Sequence, residues 1–142
     1  MSQITKNILM IKPSSFAYNV DTAKDNFFQK IEDNLSSDQI QSSALDEFSN
    51  MCSILKENGI NVIVIENEKE KKLSDDIFPN NWISFHGKQY VIHSMFAKSR
   101  RLEKNNKFIK KLNDIGFKYS LLSDYSEFEN KGIFLEGTGS VI

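Results

Sequence analysis

The densest group of chemically capable side chains lies in residues 74–86, which hold two aspartates, two asparagines and the only tryptophan. Asp75 and Asn81 stand six residues apart, and an even spacing returns side chains to one side of an extended strand. An ionised aspartate only accepts hydrogen bonds, whereas an asparagine amide both accepts and donates. Aspartates therefore suit a cationic guanidinium or ammonium ligand, and Asn81 suits a neutral ureido group. Alternatively, Asn80 and Asn81 hold the turn through Asx-type hydrogen bonds.

A second candidate group lies in residues 134–140, where Glu136 is followed by Gly137 and Gly139. Glycines permit unusual φ angles and let a ligand approach the backbone closely. The Glu136 carboxylate is therefore a candidate for ligand binding. The alternative is an ordinary glycine turn with a solvent-facing glutamate.

Arg100 and Arg101 stand at the start of a predicted helix. The helix dipole is positive at that end and disfavours cations, so two arginines there indicate an anionic partner. Arginine binds carboxylates through two parallel hydrogen bonds, and the partner is a substrate carboxylate or a protein acid. The other basic residues between positions 98 and 111 are typical of a solvated helix face.

Metal and cysteine chemistry have weaker candidates. His86 and His93 are the only histidines, and they stand at the ends of a predicted hairpin without a nearby cysteine. They are typical of core or hydrogen-bonded surface histidines, so we expect no metal site and no cofactor. Cys52, the only cysteine, lies on an apolar helix face, where burial would make the thiol inert.

The elements that must position these residues predict an α/β fold. Apolar and β-branched runs predict strands at residues 8–11, 60–65, 119–122 and 133–135, and a hairpin at 82–85 and 90–93 with its turn at Gly87. Apolar periodicity predicts helices from Asp21 or Thr22 to Lys30, at 43–58 and at 100–115. Gly59 follows the helix at 43–58 and Gly116 follows the helix at 100–115. The recurrence of helix, glycine and strand indicates modules of about 55–60 residues.

Composition limits the class of protein. The 142 residues suffice for one domain with a buried core, and 39% hydrophobic with 26% charged residues is typical of a globular protein. A net charge of −1 provides no basic field for nucleic acid. A single cysteine, no apolar signal core and no membrane-length apolar run predict a cytoplasmic protein without membrane contact.

Three segments in order resemble the guanidino-group-modifying superfamily, which contains arginine deiminases, dimethylarginine dimethylaminohydrolases and amidinotransferases. They are Asp-Asp-Ile-Phe-Pro-Asn-Asn-Trp at 75–82, Met-Phe-Ala at 95–97 with the arginine pair, and Leu-Glu-Gly-Thr-Gly-Ser at 135–140. The first and last look most like the citrulline-hydrolysing branch, the citrulline ureidases. The resemblance spans roughly residues 8–142.

The resemblance implies a pseudo-fivefold αβ propeller of ββαβ modules. Residues 1–142 would then form the N-terminal portion of one catalytic domain, with about two modules, the start of a third and no separate second domain. Two modules alone would leave strand edges and apolar faces open, so self-association through these edges is an expected interaction.

The resemblance also implies a set of substrate-binding residues for a small amino-acid substrate. Asp75 matches the carboxylate that holds the amino-acid end, and Phe78 lies in the same motif. Asn81 matches the position where arginine-processing relatives carry an aspartate against the guanidinium. One of Arg100 and Arg101 matches the arginine that binds the substrate carboxylate, and Arg100 is favoured.

Glu136 matches the acid that orients a catalytic histidine and the substrate nitrogen. The family mechanism is covalent, with a cysteine thiolate that attacks the planar carbon and a histidine that moves protons. Both of these belong to later modules, so we expect them beyond Ile142 and the chain alone to be inactive. Asn81 favours hydrolysis of citrulline to ornithine, carbon dioxide and ammonia. The alternatives are an arginine deiminase, a dimethylargininase, an amidinotransferase, or an inactive remnant that acts at most as a binding module.

Overall fold

The structure is a computed structural model that describes residues 5–23, 34–67, 73–104 and 106–140. Within it the chain divides into two compact units, Met1–Ile77 and Phe78–Ile142, and each contains a small sheet. The mixed α/β class predicted from the sequence is confirmed.

The first unit is built on two parallel strands. Strand β1 (Asn7–Lys12) pairs with β2 (Asn61–Glu66), and helix α1 (Ser37–Glu57) lies between them in the chain. Parallel neighbours need a long crossover connection, which a helix commonly supplies. The buried side chains include Ile11, Cys52, Val62 and Ile65, so the predicted strands and the burial of Cys52 are confirmed.

Helix α1 begins six residues earlier than the predicted start at residue 43. Ser36 caps it, since the Ser36 hydroxyl accepts from the backbone N–H of Gln39 (3.2 Å) and the Gln39 side chain accepts from that of Ser36 (2.8 Å). Reciprocal caps of this kind satisfy two otherwise unpaired donors. Polar residues fill the first turns, so apolar periodicity did not find them. Gly59 ends the helix with φ 78°, as predicted.

The second unit contains the predicted hairpin. Strands β3 (Ile83–His86) and β4 (Gln89–Ile92) pair antiparallel around Gly87 (φ 62°), and β5 (Ser120–Asp124) pairs parallel with β4. A short 3₁₀ turn, Pro79–Asn81, precedes β3. These elements position the motif residues directly before the first strand of the sheet.

The predicted helix at 100–115 is wrong as a single element. Two helices form instead, α2 (Lys98–Arg101) and α3 (Asn106–Asp114), with a turn at Leu102 and Glu103 between them. Leu102 is exposed and does not continue the apolar face of α3, which buries Phe108 and Leu112. The Phe108 ring meets Trp82 edge-on at 5.1 Å between centroids.

Two further predictions differ from the structure or lie outside it. Residues 133–135 form only an isolated bridge, Ser94 to Leu135, after a 3₁₀ segment at Ser126–Lys131, so the predicted strand there is wrong. A single-turn helix, α4 (Gly137–Ser140), follows. The predicted helix from Asp21 or Thr22 lies largely in residues 24–33, outside the described ranges. In the described segments, no helix has the length and apolar character that crossing a bilayer requires.

Candidate functional site

Asp75 lies in a buried polar cluster of the first unit. Its Oδ2 accepts hydrogen bonds from the Asn19 amide (2.8 Å) and the Thr22 hydroxyl (3.1 Å). Residues 74–77 form a turn and residues 79–81 a 3₁₀ turn, so this segment is not extended. The alternation argument that put Asp75 and Asn81 on one side of a strand is therefore wrong, and the two residues belong to different units.

Asp76 is buried more deeply than any acid that the sequence singled out, with only 1% of its surface exposed. Its Oδ2 accepts from the Ser14 hydroxyl at 2.7 Å and the Asn67 amide at 3.2 Å. Its Oδ1 has no hydrogen-bond partner among the described residues. Burial raises the pKa of Asp76, the charge of Asp75 adds to the rise, and the two hydrogen bonds oppose it. The only sequence signal for this residue was its position next to Asp75.

The second unit brings Asn81 and Glu136 together. The Asn81 amide donates to Glu136 Oε2 at 3.4 Å, and the backbone N–H of Phe96 donates to Oε1 at 3.3 Å. Beside them, the Asn80 amide donates to the Thr138 hydroxyl. Both asparagine side chains thus join the motif segment at 74–86 to the second candidate segment at 134–140. The alternative expectation was that they would form Asx-type bonds within their own turn.

Gly137 is required for close packing. A Cβ atom at this position would lie 2.5 Å from the Asn80 carbonyl oxygen and 2.9 Å from Cδ2 of the His93 ring. Gly137 is not among the described glycines with positive φ, so its backbone does not use the unusual φ angles that glycine permits. The small size of the residue lets the backbone after Glu136 pass against His93.

His93 is buried and linked through Ser84 to the exposed His86. The Ser84 hydroxyl lies 2.8 Å from Nε2 of His93 and 2.9 Å from Nε2 of His86. Nδ1 of His93 has no hydrogen-bond partner within the described structure, so the tautomer with its proton on Nε2 avoids a buried N–H without an acceptor. Burial lowers the pKa of His93, and the charges of His86 and Lys104 lower it further. In the described ranges, no three His, Cys, Asp or Glu side chains group as metal ligands would.

Arg100 is 6% exposed and is bound to a protein acid. Its Nε donates to Glu103 Oε1 at 3.0 Å, and its Nη2 donates to Glu103 Oε2 at 2.9 Å and to the Phe78 carbonyl at 3.0 Å. Arg100 and Arg101 close α2 instead of opening a helix, so the dipole argument for them was wrong, since cations are favoured at a helix C-terminus. Of the two partners considered, the protein acid is the one observed, and Phe78 is 45% exposed.

Arg101 binds backbone and an aromatic ring. Its Nε donates to the Met95 carbonyl at 2.9 Å and its Nη2 to the Phe96 carbonyl at 3.0 Å. The guanidinium carbon lies 5.4 Å from the Phe134 ring centroid, and Nε is 3.7 Å from Glu129 Oε2. Arg101 therefore fixes the backbone segment that carries Phe96.

A family model described as N,N dimethylarginine dimethylhydrolase, eukaryotic, matches residues 12–142. Because the match spans nearly the whole chain, the protein belongs to this family and hence to the guanidino-group-modifying superfamily. The superfamily predicted from the motifs is confirmed, and the family is one of hydrolases of guanidino compounds. Searches of curated proteins and of solved structures found no match.

Proposed function

We propose that this protein acts in the hydrolysis of a small amino acid with a neutral, planar ureido end group, and that citrulline is the substrate that fits best. The observation that carries this proposal is the hydrogen bond from the Asn81 amide to Glu136. It pairs one carboxylate with one carboxamide. A ureido group has a carbonyl that accepts and an NH₂ that donates, and the amide–carboxylate pair offers both complements.

Charge supports the same choice. With Asn at position 81 the pair carries at most one negative charge, whereas an aspartate would put a second carboxylate at about 3.4 Å from the first. Two carboxylates this close repel each other unless a cation such as a guanidinium lies between them. Glu136 would bind a substrate nitrogen, and the overall reaction would consume water and release ornithine, carbon dioxide and ammonia.

The remaining residues have supporting roles in this proposal. In the first unit, Asp75 is the proposed acceptor for an ammonium group. In the second, Phe78 contacts substrate and Arg100 binds the substrate carboxylate, with Glu103 holding one edge of its guanidinium in place. We assign no nucleophile and no proton-transferring histidine to this chain. The helix–glycine–strand order at Gly59 and again at Gly116 supports a chain built of repeated αβ modules, as a propeller would need.

The alternative function is hydrolysis of dimethylarginine, which the description of the family favours. For this function, the site around Glu136 would have to bind a methylated cation although Glu136 is the single carboxylate of the Asn81–Glu136 pair. The two functions predict different preferences between neutral and cationic ligands.

The experiment measures binding of citrulline, arginine and dimethylarginine to the whole chain by calorimetry, with Asn81→Asp as the variant. We expect the wild type to bind citrulline most tightly. Asn81→Asp should weaken citrulline about tenfold, because a carboxylate cannot donate to the ureido carbonyl, and should shift the preference toward arginine. Asn80→Asp adds the same charge one residue away and is the matched control. This variant should keep the wild-type preference for citrulline over arginine. Tighter binding of dimethylarginine than of citrulline by the wild type would establish the alternative.

A further inference from the structure

We propose that Phe96 forms an aromatic wall of the site, on which the planar end group of the bound substrate stacks. The inference rests on the proposed function, since it concerns the ligand held at Glu136. Phe96 was not among the site residues expected from the sequence, although it lies within one of the three motif segments.

The first observation is a backbone anchored from several directions. The Met95 N–H donates to Glu129 Oε1 at 2.8 Å, and the Phe96 N–H donates to Glu136 at 3.3 Å. The carbonyls of both residues accept from Arg101 at 2.9 and 3.0 Å. Met95 itself is 0% exposed. The backbone of this segment is therefore held in place on both its donor and its acceptor side.

The second observation is the exposure of the ring on this fixed backbone. Phe96 is 56% exposed, directly after the fully buried Met95. Its ring meets Phe134 edge-on at 5.2 Å between centroids and an angle of 87°, and Arg101 lies over the Phe134 ring. The Phe96 ring is thus packed against Phe134 while more than half of the residue's surface is open. A rigid, partly open ring binds a flat ligand group at low cost in conformational entropy.

The third observation is the distance to the carboxylate. The backbone nitrogen of Phe96 and the amide of Asn81 contact the two oxygens of Glu136 at 3.3 and 3.4 Å. A planar group hydrogen-bonded to Glu136 and Asn81 would therefore lie close to residue 96, whose ring is exposed. Arg101 then acts as a positioning residue, because it holds the Met95 and Phe96 carbonyls and packs on Phe134.

The experiment compares two ligands on the whole chain by calorimetry. Citrulline carries the ureido group, and norvaline has the same three-carbon stem without it. Phe96→Leu should weaken citrulline about 3–10-fold and leave norvaline unchanged, while Phe96→Tyr should keep citrulline affinity near the wild-type value. Phe85→Leu is the matched control, because it removes another exposed ring, which packs on Tyr119 in the same unit. Fluorescence of the buried Trp82 checks that each variant is folded.

Several outcomes would overturn the inference. Unchanged citrulline affinity in Phe96→Leu, or an equal loss for norvaline, would show that the ring does not contact the planar group. If the wild type instead prefers dimethylarginine, citrulline is not the substrate. The aromatic wall is then tested with dimethylarginine, for which Phe96→Leu should lose affinity by the same factor. A wild type that binds none of these compounds would overturn both proposals.

Discussion

Each of the two units buries a carboxylate, and the two are compensated in different ways. In the first unit, the donors to Asp76 among the described residues are neutral, namely Ser14 and Asn67. In the second, Glu103 receives the side of the Arg100 guanidinium through two nitrogens. Neutral donors offset part of the cost of removing a charge from water, whereas an aligned arginine supplies an opposite charge as well. This difference predicts that Asp76 makes the stability of the protein depend on pH. Glu103, by contrast, should destabilise the protein when its partner Arg100 is removed.

The difference also bears on the proposed chemistry. The arginine that the motif assigns to a substrate carboxylate already has a fixed internal partner, so the protein positions it before any ligand arrives. By contrast, the acidic residues of the first unit accept from hydroxyl and amide groups, and Oδ1 of Asp76 has no hydrogen-bond partner among the described residues.

The largest expected effect is that of Arg100→Met. Removal of the guanidinium leaves Glu103 buried without its compensating charge, and we expect the free energy of unfolding to fall by about 3–5 kcal/mol. Urea unfolding followed by Trp82 fluorescence reports on this unit, because Trp82 packs on Phe108. The double variant Arg100→Met, Glu103→Leu should recover most of the loss, since it removes both charges.

Arg101→Met is the control for the adjacent arginine. Arg101 is more exposed than Arg100 and binds mainly backbone carbonyls, so its loss should destabilise the protein less. Equal losses for the two single variants would contradict the view that the buried pair with Glu103 distinguishes them.

A smaller effect is expected from Gly137→Ala. The new methyl group would lie 2.5 Å from the Asn80 carbonyl oxygen, and overpacking of this kind costs about 1–3 kcal/mol. It should also displace Glu136 and weaken citrulline binding, which calorimetry would measure together with the unfolding free energy.

Gly59→Ala separates packing from backbone strain. Gly59 has φ 78° and nothing within 4 Å of a Cβ, so its substitution is strained without a clash. It should lower stability while citrulline affinity stays unchanged. If both variants weaken citrulline equally, the contact of Gly137 with Asn80 and His93 is not what positions Glu136.

Local sequence predicted those parts of the fold that local forces determine. The β-branched run at 60–65 and the hairpin around Gly87 formed because alternation and a turn glycine suffice for them. The helix at 100–115 did not form as one element, because contacts of Arg100 with Glu103 and Phe78 close a turn that periodicity does not encode.

The same limit applies to the candidate site. Residue types singled out Asn81 and Glu136 separately, and the superfamily resemblance placed them in one site. The 3.4 Å contact between them joins residues 55 positions apart in the chain, and Gly137 packs on His93 from 44 positions away, so no local pattern specifies either contact. The sequence did not single out Asp76 or Phe96. Asp76 stands out because it is buried and Phe96 because it is exposed, and neighbouring residues in the sequence do not reveal either property.

The smallest expected effect concerns Asp76→Asn and tests the other half of the comparison. Burial raises the native pKa of Asp76 above its ordinary value of 3.8, so the native state binds this proton more tightly than the unfolded state. The stability contribution is therefore fully present below pH 3.8 and is lost as the pH rises through the native pKa. Asp76→Asn should remove this part of the pH dependence and be more stable than wild type at pH 7 by about 1 kcal/mol.

Hydrogen exchange of the β1 and β2 amides between pH 4 and 7 would measure this, because both strands belong to the same unit as Asp76. Asp46→Asn alters an exposed carboxylate on α1 and is the matched control, expected to follow the wild-type profile. A loss of stability in Asp76→Asn across the whole range would mean that the ionised carboxylate is stabilised in place. In that case Asp76 and Glu103 would be compensated to a similar extent, and the first unit would hold its charge with neutral donors as firmly as the second holds its own with an arginine.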